Sequence, residues 1–279
     1  MAEDWCRHCD RHGRMTLEHI PAKATGNSSP VDLYHELNGQ FEKVTREFTS
    51  GHALPTLCGD CNNGAQRRGL PDAYTAWHQD VVWHVSTFAA AMHHALGEDP
   101  DNVWYLCRPD GRAAVVPMEH GKGLNPTEMM NLHPGRIARQ VLSGILAVQN
   151  TPYLLRDNPV LTQAYFSDDA ASIAPFTLHV ALANAGTGYF ETGISQGTLN
   201  LATGRFDAAQ SWILACTPFV FSLVKGEREP FTSTRIEHWF QYSVHETFGK
   251  RNRIVEYPIG RPGDLVVDKL YHDLEQLPP

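Results

Sequence analysis

Two Cys-x-x-Cys pairs near the N-terminus constrain the fold more than any other feature of the chain. They are Cys6/Cys9 and Cys58/Cys61, and 48 residues separate them. Two intervening residues allow both sulfurs of a pair to point into one tetrahedral site, and two such pairs complete a four-cysteine zinc shell. The sequence therefore predicts one structural Zn²⁺ that joins the two ends of an N-terminal subdomain.

Other roles for these cysteines fit the chain less well. A chain of 279 residues with 42% hydrophobic content can build a core without a disulfide framework. A redox motif of the thioredoxin type follows a strand and opens a βαβ helix, and neither pair has that pattern. The two remaining cysteines, Cys107 and Cys216, are isolated in the sequence.

The sequence has no feature that predicts export or membrane insertion. The N-terminus lacks a positively charged segment followed by an apolar stretch, and no run of about 18 apolar residues occurs. We therefore expect a cytoplasmic protein with no membrane partner, and an oligomer stays possible.

The residues beside and between the cysteine pairs resemble the HNH endonuclease family in its zinc-bearing form. The segments that carry the resemblance are EHIPAKA, which begins at Glu18, and LCGDCNNG, which begins at Leu57. Together with the first cysteine pair they cover about residues 5–70. The resemblance implies a ββα-metal module, in which two strands and a helix hold one divalent metal while a separate zinc stabilises the module.

The resemblance also implies roles for individual residues. His19 would be the general base, Glu18 a ligand of the catalytic metal, and Asn62 a third metal contact at the start of the closing helix, with Asn63 as a helper. A neutral imidazole can take a proton from water at physiological pH. Carboxylate and amide oxygens suit Mg²⁺ or Mn²⁺, and Ni²⁺ or Zn²⁺ are further candidates. Because neighbouring strand residues face opposite sides, Glu18 and His19 reach one metal only if the strand bends there.

The chain departs from the family pattern at the middle signature position. An asparagine usually stands where this chain has Ala53, and His52 lies beside it. Three roles for His52 stay open: it orients His19, it binds the metal, or it is an ordinary loop residue. The basic residue that often follows the closing asparagine comes later here, at Arg67 and Arg68.

The net charge of −8 argues against an ordinary DNA endonuclease, because proteins bind duplex DNA through a basic face.

Hydrolysis of nucleic acid by an HNH-type enzyme is the favoured function. The alternative is the same frame recruited to another metal-dependent reaction on a small molecule, or a non-catalytic zinc-stabilised binding module. A nuclease predicts an open groove with Arg67, Arg68 or Lys250 on its rim. The alternative predicts a closed pocket formed by residues 15–25, 50–65 and the C-terminal domain.

The rest of the chain predicts helices followed by strands. We therefore expect an α+β fold, with a Cys₄-zinc ββα-metal module over residues 1–75 packed on a larger α+β domain, residues 76–279, that carries an antiparallel sheet. Hairpins are predicted around Asn38-Gly39 and Asp110-Gly111, and helices from Pro71, over 136–148 and over 159–166. A meander of four or five strands is expected from FTLHVALA, GYFETGI, GTLNLAT, SWILACT and FVFSLV. The segment RIEHWFQYSVHETF is predicted as helix or strand, and RIVEYPI as a final strand.

Overall fold

The fold is α+β with antiparallel sheets, as the sequence predicts. The computed structural model describes residues 3–25, 27–28, 31–37, 40–48, 51–81, 103–107, 113–117, 131–149, 152–182, 189–200, 205–216, 219–226 and 233–251. The turn residues of the two predicted hairpins and the predicted strand RIVEYPI lie outside these ranges.

The N-terminal part contains a three-stranded antiparallel sheet that leads directly into a helix. Its elements are β1 (Glu3–Trp5), β2 (His12–His19), β3 (Val31–Leu37), β4 (Gln40–Phe48), β5 (Ala53–Cys58) and α1 (Gly59–Arg67). The sheet has the order β1-β2-β5, and β3 and β4 form a separate antiparallel hairpin between β2 and β5 in the chain. Two paired strands and the helix that follows the second of them form a ββα succession.

The described residues between 70 and 166 are mainly helical. Its elements are α2 (described over residues 70–81), the hairpin strands β6 (Val103–Cys107) and β7 (Ala113–Pro117), α3 (Pro134–Ala147), α4 (Tyr153–Arg156) and α5 (Pro159–Phe166). Pro134 and Pro159 open α3 and α5, where a missing backbone N–H costs nothing. Within the described part of the chain, no helix combines the length and apolar character that a membrane crossing requires.

The C-terminal part is a five-stranded antiparallel sheet. Its strands are β8 (Phe176–Leu182), β9 (Tyr189–Asn200), β10 (Arg205–Cys216), β11 (Phe219–Lys225) and β12 (Thr234–Arg235). Their order is β12-β8-β11-β10-β9. Strands β9, β10 and β11 form a meander, but β8 pairs with β11 rather than with β9, its neighbour in sequence.

A continuous hydrophobic core joins the N-terminal sheet, the helices and the C-terminal sheet. Trp77 of α2 is fully buried and stacks on Phe219 of β11, with 4.7 Å between ring centroids and 13° between ring planes. Trp239 meets the same indole edge to face at 5.7 Å. Such offset and edge contacts between large rings add to the free energy of area burial. The N-terminal module and the rest of the chain are therefore packed against each other through buried side chains.

Two local predictions are wrong. The strands GYFETGI and GTLNLAT leave Ser195 and Gln196 as a break, but β9 runs through both residues because it pairs continuously with β10, Gln196 lying opposite Ala209. The segment RIEHWFQYSVHETF is neither a regular helix nor a strand after its first residue. It forms 3₁₀ turns at Glu237–Gln241 and from Phe248, since Trp239, Phe240 and Phe248 all turn into the core.

Candidate metal centre and adjoining cavity

The four cysteines of the two pairs come together in one cluster. Their sulfur atoms all lie within 4.8 Å of one another, and those of Cys9 and Cys58 are 3.7 Å apart. A tetrahedral site with Zn–S bonds of about 2.3 Å places its sulfurs about 3.8 Å apart. The cluster therefore has the dimensions of a Cys₄ zinc site and can hold a metal ion such as zinc.

The fold positions these cysteines at the junction of sheet and helix. Cys6 and Cys9 lie in the turn between β1 and β2, whereas Cys58 ends β5 and Cys61 lies in the first turn of α1. The backbone N–H of Cys58 donates to the Cys6 sulfur at 3.3 Å. A hydrogen bond from Cys61 lowers the pKa of Cys6 to about 4. One thiolate is thus already favoured, as metal binding requires.

Glu18 and His19 end β2 and line the same cavity. The register of β2 against β5 shifts between Thr16 and Glu18, which breaks the strict alternation of side chains there. The strand irregularity that a shared metal would need is therefore present. Both residues are half-buried, and burial raises the pKa of Glu18 to about 7. A cation at this carboxylate would offset the cost of burying its charge.

His52 supports the backbone that follows His19. It is 2% exposed, and its Nδ1–H donates to the carbonyl oxygen of Ile20 at 3.0 Å. Burial lowers the pKa of His52, and the nearby His19 lowers it further, while the bond to Ile20 acts in the opposite direction. A neutral His52 therefore lies beside His19, with one ring nitrogen committed to the backbone.

Asn27 also belongs to this region, although no motif in the sequence marks it. Its side-chain amide is buried and donates to the carbonyl oxygens of Pro21 at 2.8 Å and His52 at 2.9 Å. Gly51 lies beside His52 in sequence, and a glycine there is a signal for a turn; its φ of 93° is one that other residues rarely adopt. Asn27 thus links the segment after His19 to the residue that precedes β5.

Asn62 of α1 lies against the residues of β2 that immediately precede Glu18. Its amide Nδ2 donates to Thr16 Oγ1 at 3.1 Å and to the carbonyl oxygen of Leu17 at 3.3 Å. Asn63, the following residue on α1, is exposed. The structure therefore brings Asn62 to the strand that carries Glu18 and His19, and turns Asn63 towards solvent.

Glu18, His19 and His52 do not form a second cluster of the cysteine type. Within the described residues, the four cysteines are the one group of at least three His, Cys, Asp or Glu side chains whose ligand atoms lie within 4.8 Å of one another. Mg²⁺ needs no such group, because it keeps several waters and binds through one or two carboxylates. A single carboxylate such as that of Glu18 is compatible with this mode of binding.

The cavity at Glu18 and His19 is shared between the N-terminal module and the rest of the chain. It is lined by residues 18–22, by Tyr74 of α2, by α3 residues that include Gln140 and Ser143, and by Leu214 and Phe221 of the C-terminal sheet. Its volume is about 20 Å³. Residues 15–25 thus contribute to a pocket as the small-molecule alternative predicts, but its described lining contains no residue from 50–65.

The basic residues expected on a groove rim have different surroundings. Arg68 donates to a carboxyl oxygen of Asp168 at 2.7 Å and to the carbonyl oxygens of Tyr165 and Ser167 at 2.8 and 2.9 Å. Lys250 is 67% exposed and pairs with Glu246 at 3.4 Å. Arg68 therefore holds α1 onto the end of α5, whereas the exposed charges are those of Arg67 and Lys250.

Comparison with protein-family models, with curated proteins and with solved structures found no match for this chain. The likeness to HNH endonucleases therefore stays an interpretation of the motifs, and the function is inferred from the geometry of the site.

Proposed function

We propose that the protein is a metal-dependent HNH-type hydrolase that cleaves phosphodiester bonds of nucleic acid at Glu18 and His19. One observation carries the proposal. The β2–β5–α1 succession is closed by the cysteine cluster, and Asn62 of α1 is hydrogen-bonded to β2 immediately before Glu18. These are the elements and residue types that the motif resemblance implies, in the same order.

Each residue of the site has a separate role in the proposed reaction. His19, half-buried in the lining of the cavity, takes a proton from the attacking water. Glu18 would hold a divalent cation such as Mg²⁺, Mn²⁺, Ni²⁺ or Zn²⁺, with Asn62 as a further contact. A cation bound there would supply positive charge to the scissile phosphate. His52 and Asn27 hold the segment on which His19 is presented, and Asn63 has a minor role at the exposed side of α1.

We also propose that the cysteine cluster binds zinc and that its role is structural. All four ligands are thiolates, which leaves no open position for a substrate. Thiolates of this kind stay reduced in the cytoplasm, where we place the protein.

Turnover by wild type and by two matched histidine variants tests the proposal. His19→Ala should abolish cleavage of plasmid, single-stranded DNA or RNA with Mg²⁺, Mn²⁺, Ni²⁺ or Zn²⁺ while zinc content is unchanged. His12→Ala is the control, because His12 is exposed at the other end of the same strand. Survival of every nucleic acid in the presence of wild-type protein, or equal activity of the two variants, would contradict the proposal.

A second candidate is a reaction on a small molecule, and the lining of the cavity favours it. Residues of α3 and of the C-terminal sheet line the cavity together with residues 18–22, so His19 lies among residues of both parts of the chain. This candidate predicts that wild type leaves all nucleic acids intact but hydrolyses small phosphodiesters such as bis(p-nitrophenyl) phosphate, again only with His19. Inactivity towards both substrate types would favour a zinc-stabilised binding module instead.

A further inference from the structure

We infer that Gln140 of α3 positions the attacking water beside His19, so that a helix outside the HNH-like module completes the catalytic site. This inference rests on the proposed hydrolysis and adds a residue that the motif does not contain. Gln140 and His19 line one cavity, although 121 positions separate them in the sequence.

The size and polarity of the cavity fit one water molecule. A site needs about 10–15 Å³ and two to four polar partners to hold a water, and this cavity offers about 20 Å³. Its polar side chains are those of Glu18, His19, Gln140, Ser143 and Tyr74. The remaining walls are apolar, which keeps the number of competing water positions small.

Gln140 supplies a hydrogen-bond acceptor for such a water. The residue is 7% exposed, and its buried Oε1 has no hydrogen-bond partner among the described residues. An unpaired buried carbonyl oxygen costs free energy, which the O–H of a water in the cavity would remove. Ser143 is engaged elsewhere, since its Oγ and its carbonyl oxygen both lie 3.3 Å from Nε2 of the buried His8. Gln140 is therefore the better placed acceptor on α3.

The packing of α3 fixes the position of Gln140. Gly144, one turn further along the same helix face, lets the helix approach closely. A Cβ atom there would lie 3.0 Å from a methyl group of Leu214 and 3.7 Å from a methyl group of Ile20. The helix is thus held between the C-terminal sheet and the residue that follows His19. Side chains fixed in this way can orient a reactant without moving.

The chemical step then balances as follows. The water oxygen forms a new P–O bond, His19 takes one of the two protons, and the second hydrogen stays on that oxygen in the hydrogen bond to Gln140. The P–O bond to the leaving sugar oxygen breaks, and solvent supplies the proton for that oxygen. Gln140 acts by orientation only and exchanges no proton.

Substitutions at Gln140 test this role. Gln140→Met keeps the size but removes the acceptor, and should lower kcat by about 10- to 100-fold with little change in KM, as misplacement of a reactant does. The same loss should occur with plasmid DNA and with bis(p-nitrophenyl) phosphate, because the water is common to both reactions. Gln149→Leu is the control: it lies just beyond α3 and outside the cavity lining. If Gln140→Met does not fold, Gln140→Asn, which withdraws the acceptor by one methylene, replaces it.

The outcomes separate the inference from the proposed function. Wild type without activity on any phosphodiester would defeat the proposed function. Active wild type with unchanged kcat in Gln140→Met, or a loss confined to nucleic acid, would overturn the role of Gln140 alone. A crystal structure gives a readout that does not depend on activity. It should show an ordered water within hydrogen-bond distance of both Gln140 Oε1 and the His19 ring, and a cavity without that water would overturn the inference.

Discussion

The side chain of Asn27 holds the backbone of His52 from both sides. Its Oδ1 accepts the His52 N–H at 2.6 Å, and its Nδ2 donates to the His52 carbonyl oxygen at 2.9 Å. An extended backbone normally finds such a pair of bonds in a neighbouring strand. Asn27 thus replaces a strand partner just before β5 begins, and its third bond, to Pro21, ties this position to the segment after His19.

Asn27→Ala should therefore destabilise the protein and reduce turnover. The substitution removes the partner of the Pro21 carbonyl and of the His52 N–H, whereas the His52 carbonyl still accepts the Ile20 N–H. Each buried group left without a partner costs about 1–3 kcal/mol. Because some of these groups will be reached by water, we expect a loss of about 2–4 kcal/mol in the free energy of unfolding.

Denaturant unfolding checks this value. Asn63→Ala is the matched control, since the Asn63 side chain is exposed on α1 and its loss should change stability by less than about 0.5 kcal/mol. Equal stability of the two variants would show that Asn27 does not fix the backbone at His52.

Removal of one cysteine of the cluster should release the metal and destabilise the N-terminal sheet. The cluster joins the β1–β2 turn to the β5–α1 junction, so the free energy of metal binding is also free energy of folding. For Cys61→Ser we expect less than one zinc per chain by elemental analysis. The unfolding temperature should fall by roughly 10 °C or more, at about 2–4 °C per kcal/mol for a chain of this size.

Cys107→Ser is the control for the cysteine variant, because Cys107 lies on β6 and outside the cluster. It should keep one zinc per chain and the wild-type unfolding temperature within a few degrees. Wild-type protein purified without any metal, and stable in a chelator, would refute the zinc site.

The carboxyl group of Glu18 should make stability depend on pH. Burial raises its pKa to about 7 from an ordinary 4.5, so the folded protein binds this proton more tightly than the unfolded chain does. The resulting stability is complete below the ordinary pKa and is lost as the pH rises through 7. At pH 8.5 metal-free Glu18→Gln should therefore be more stable than wild type, by about 3 kcal/mol at most. At pH 5 the two should differ little.

Unfolding of both proteins between pH 5 and 8.5 measures this difference. Glu3→Gln serves as the control, because Glu3 is exposed on the edge strand β1. Added Mn²⁺ should stabilise wild type but not Glu18→Gln at pH 8.5, since only the wild-type carboxylate can hold the cation. Parallel pH profiles for wild type and Glu18→Gln would rule out a strongly perturbed carboxyl at this position.

Features that depend on residues close together in the chain could be predicted from the sequence. The spacing within each cysteine pair determines where two sulfurs point, and the two pairs do meet in one cluster. The helical spacing of Ile137, Val141 and Ile145, all of which are buried, predicts a helix over 136–148, within two residues of the observed ends of α3. These signals are local, and tertiary contacts did not override them.

Features that depend on distant contacts could not be predicted in this way. The pairing of β8 with β11 is set by the packing of the whole sheet and leaves no mark in either strand. The amide of Asn27 and the cavity side of Gln140 are defined only by residues far away in the chain. In sequence, both look like ordinary polar residues of a loop and a helix.

Substitution of Arg68 should destabilise the protein, whereas substitution of its neighbour Arg67 should not. Arg68 makes three hydrogen bonds to the end of α5 and the residues that follow it, including one to Asp168, and only 16% of its side chain is exposed. Arg68→Ala should therefore lower the free energy of unfolding by about 1–3 kcal/mol, because the Tyr165 carbonyl loses its donor, while the Ser167 carbonyl keeps its bond from Arg139. Arg67 is exposed at the end of α1, so Arg67→Ala should change stability by less than about 0.5 kcal/mol.

For the affinity for nucleic acid we expect the reverse, a larger effect from Arg67→Ala than from Arg68→Ala. If Arg67 contacts a phosphate, Arg67→Ala weakens binding for all sequences and reduces the slope of log K against log salt by about 1. Binding measured between 50 and roughly 200 mM salt, with Lys225→Ala as a control for loss of one exposed charge on the C-terminal sheet, separates a local contact from a change in net charge. Equal slopes for wild type, Arg67→Ala and Lys225→Ala would mean that α1 does not face the phosphate backbone. The access route to His19 would then lie on another side of the cavity.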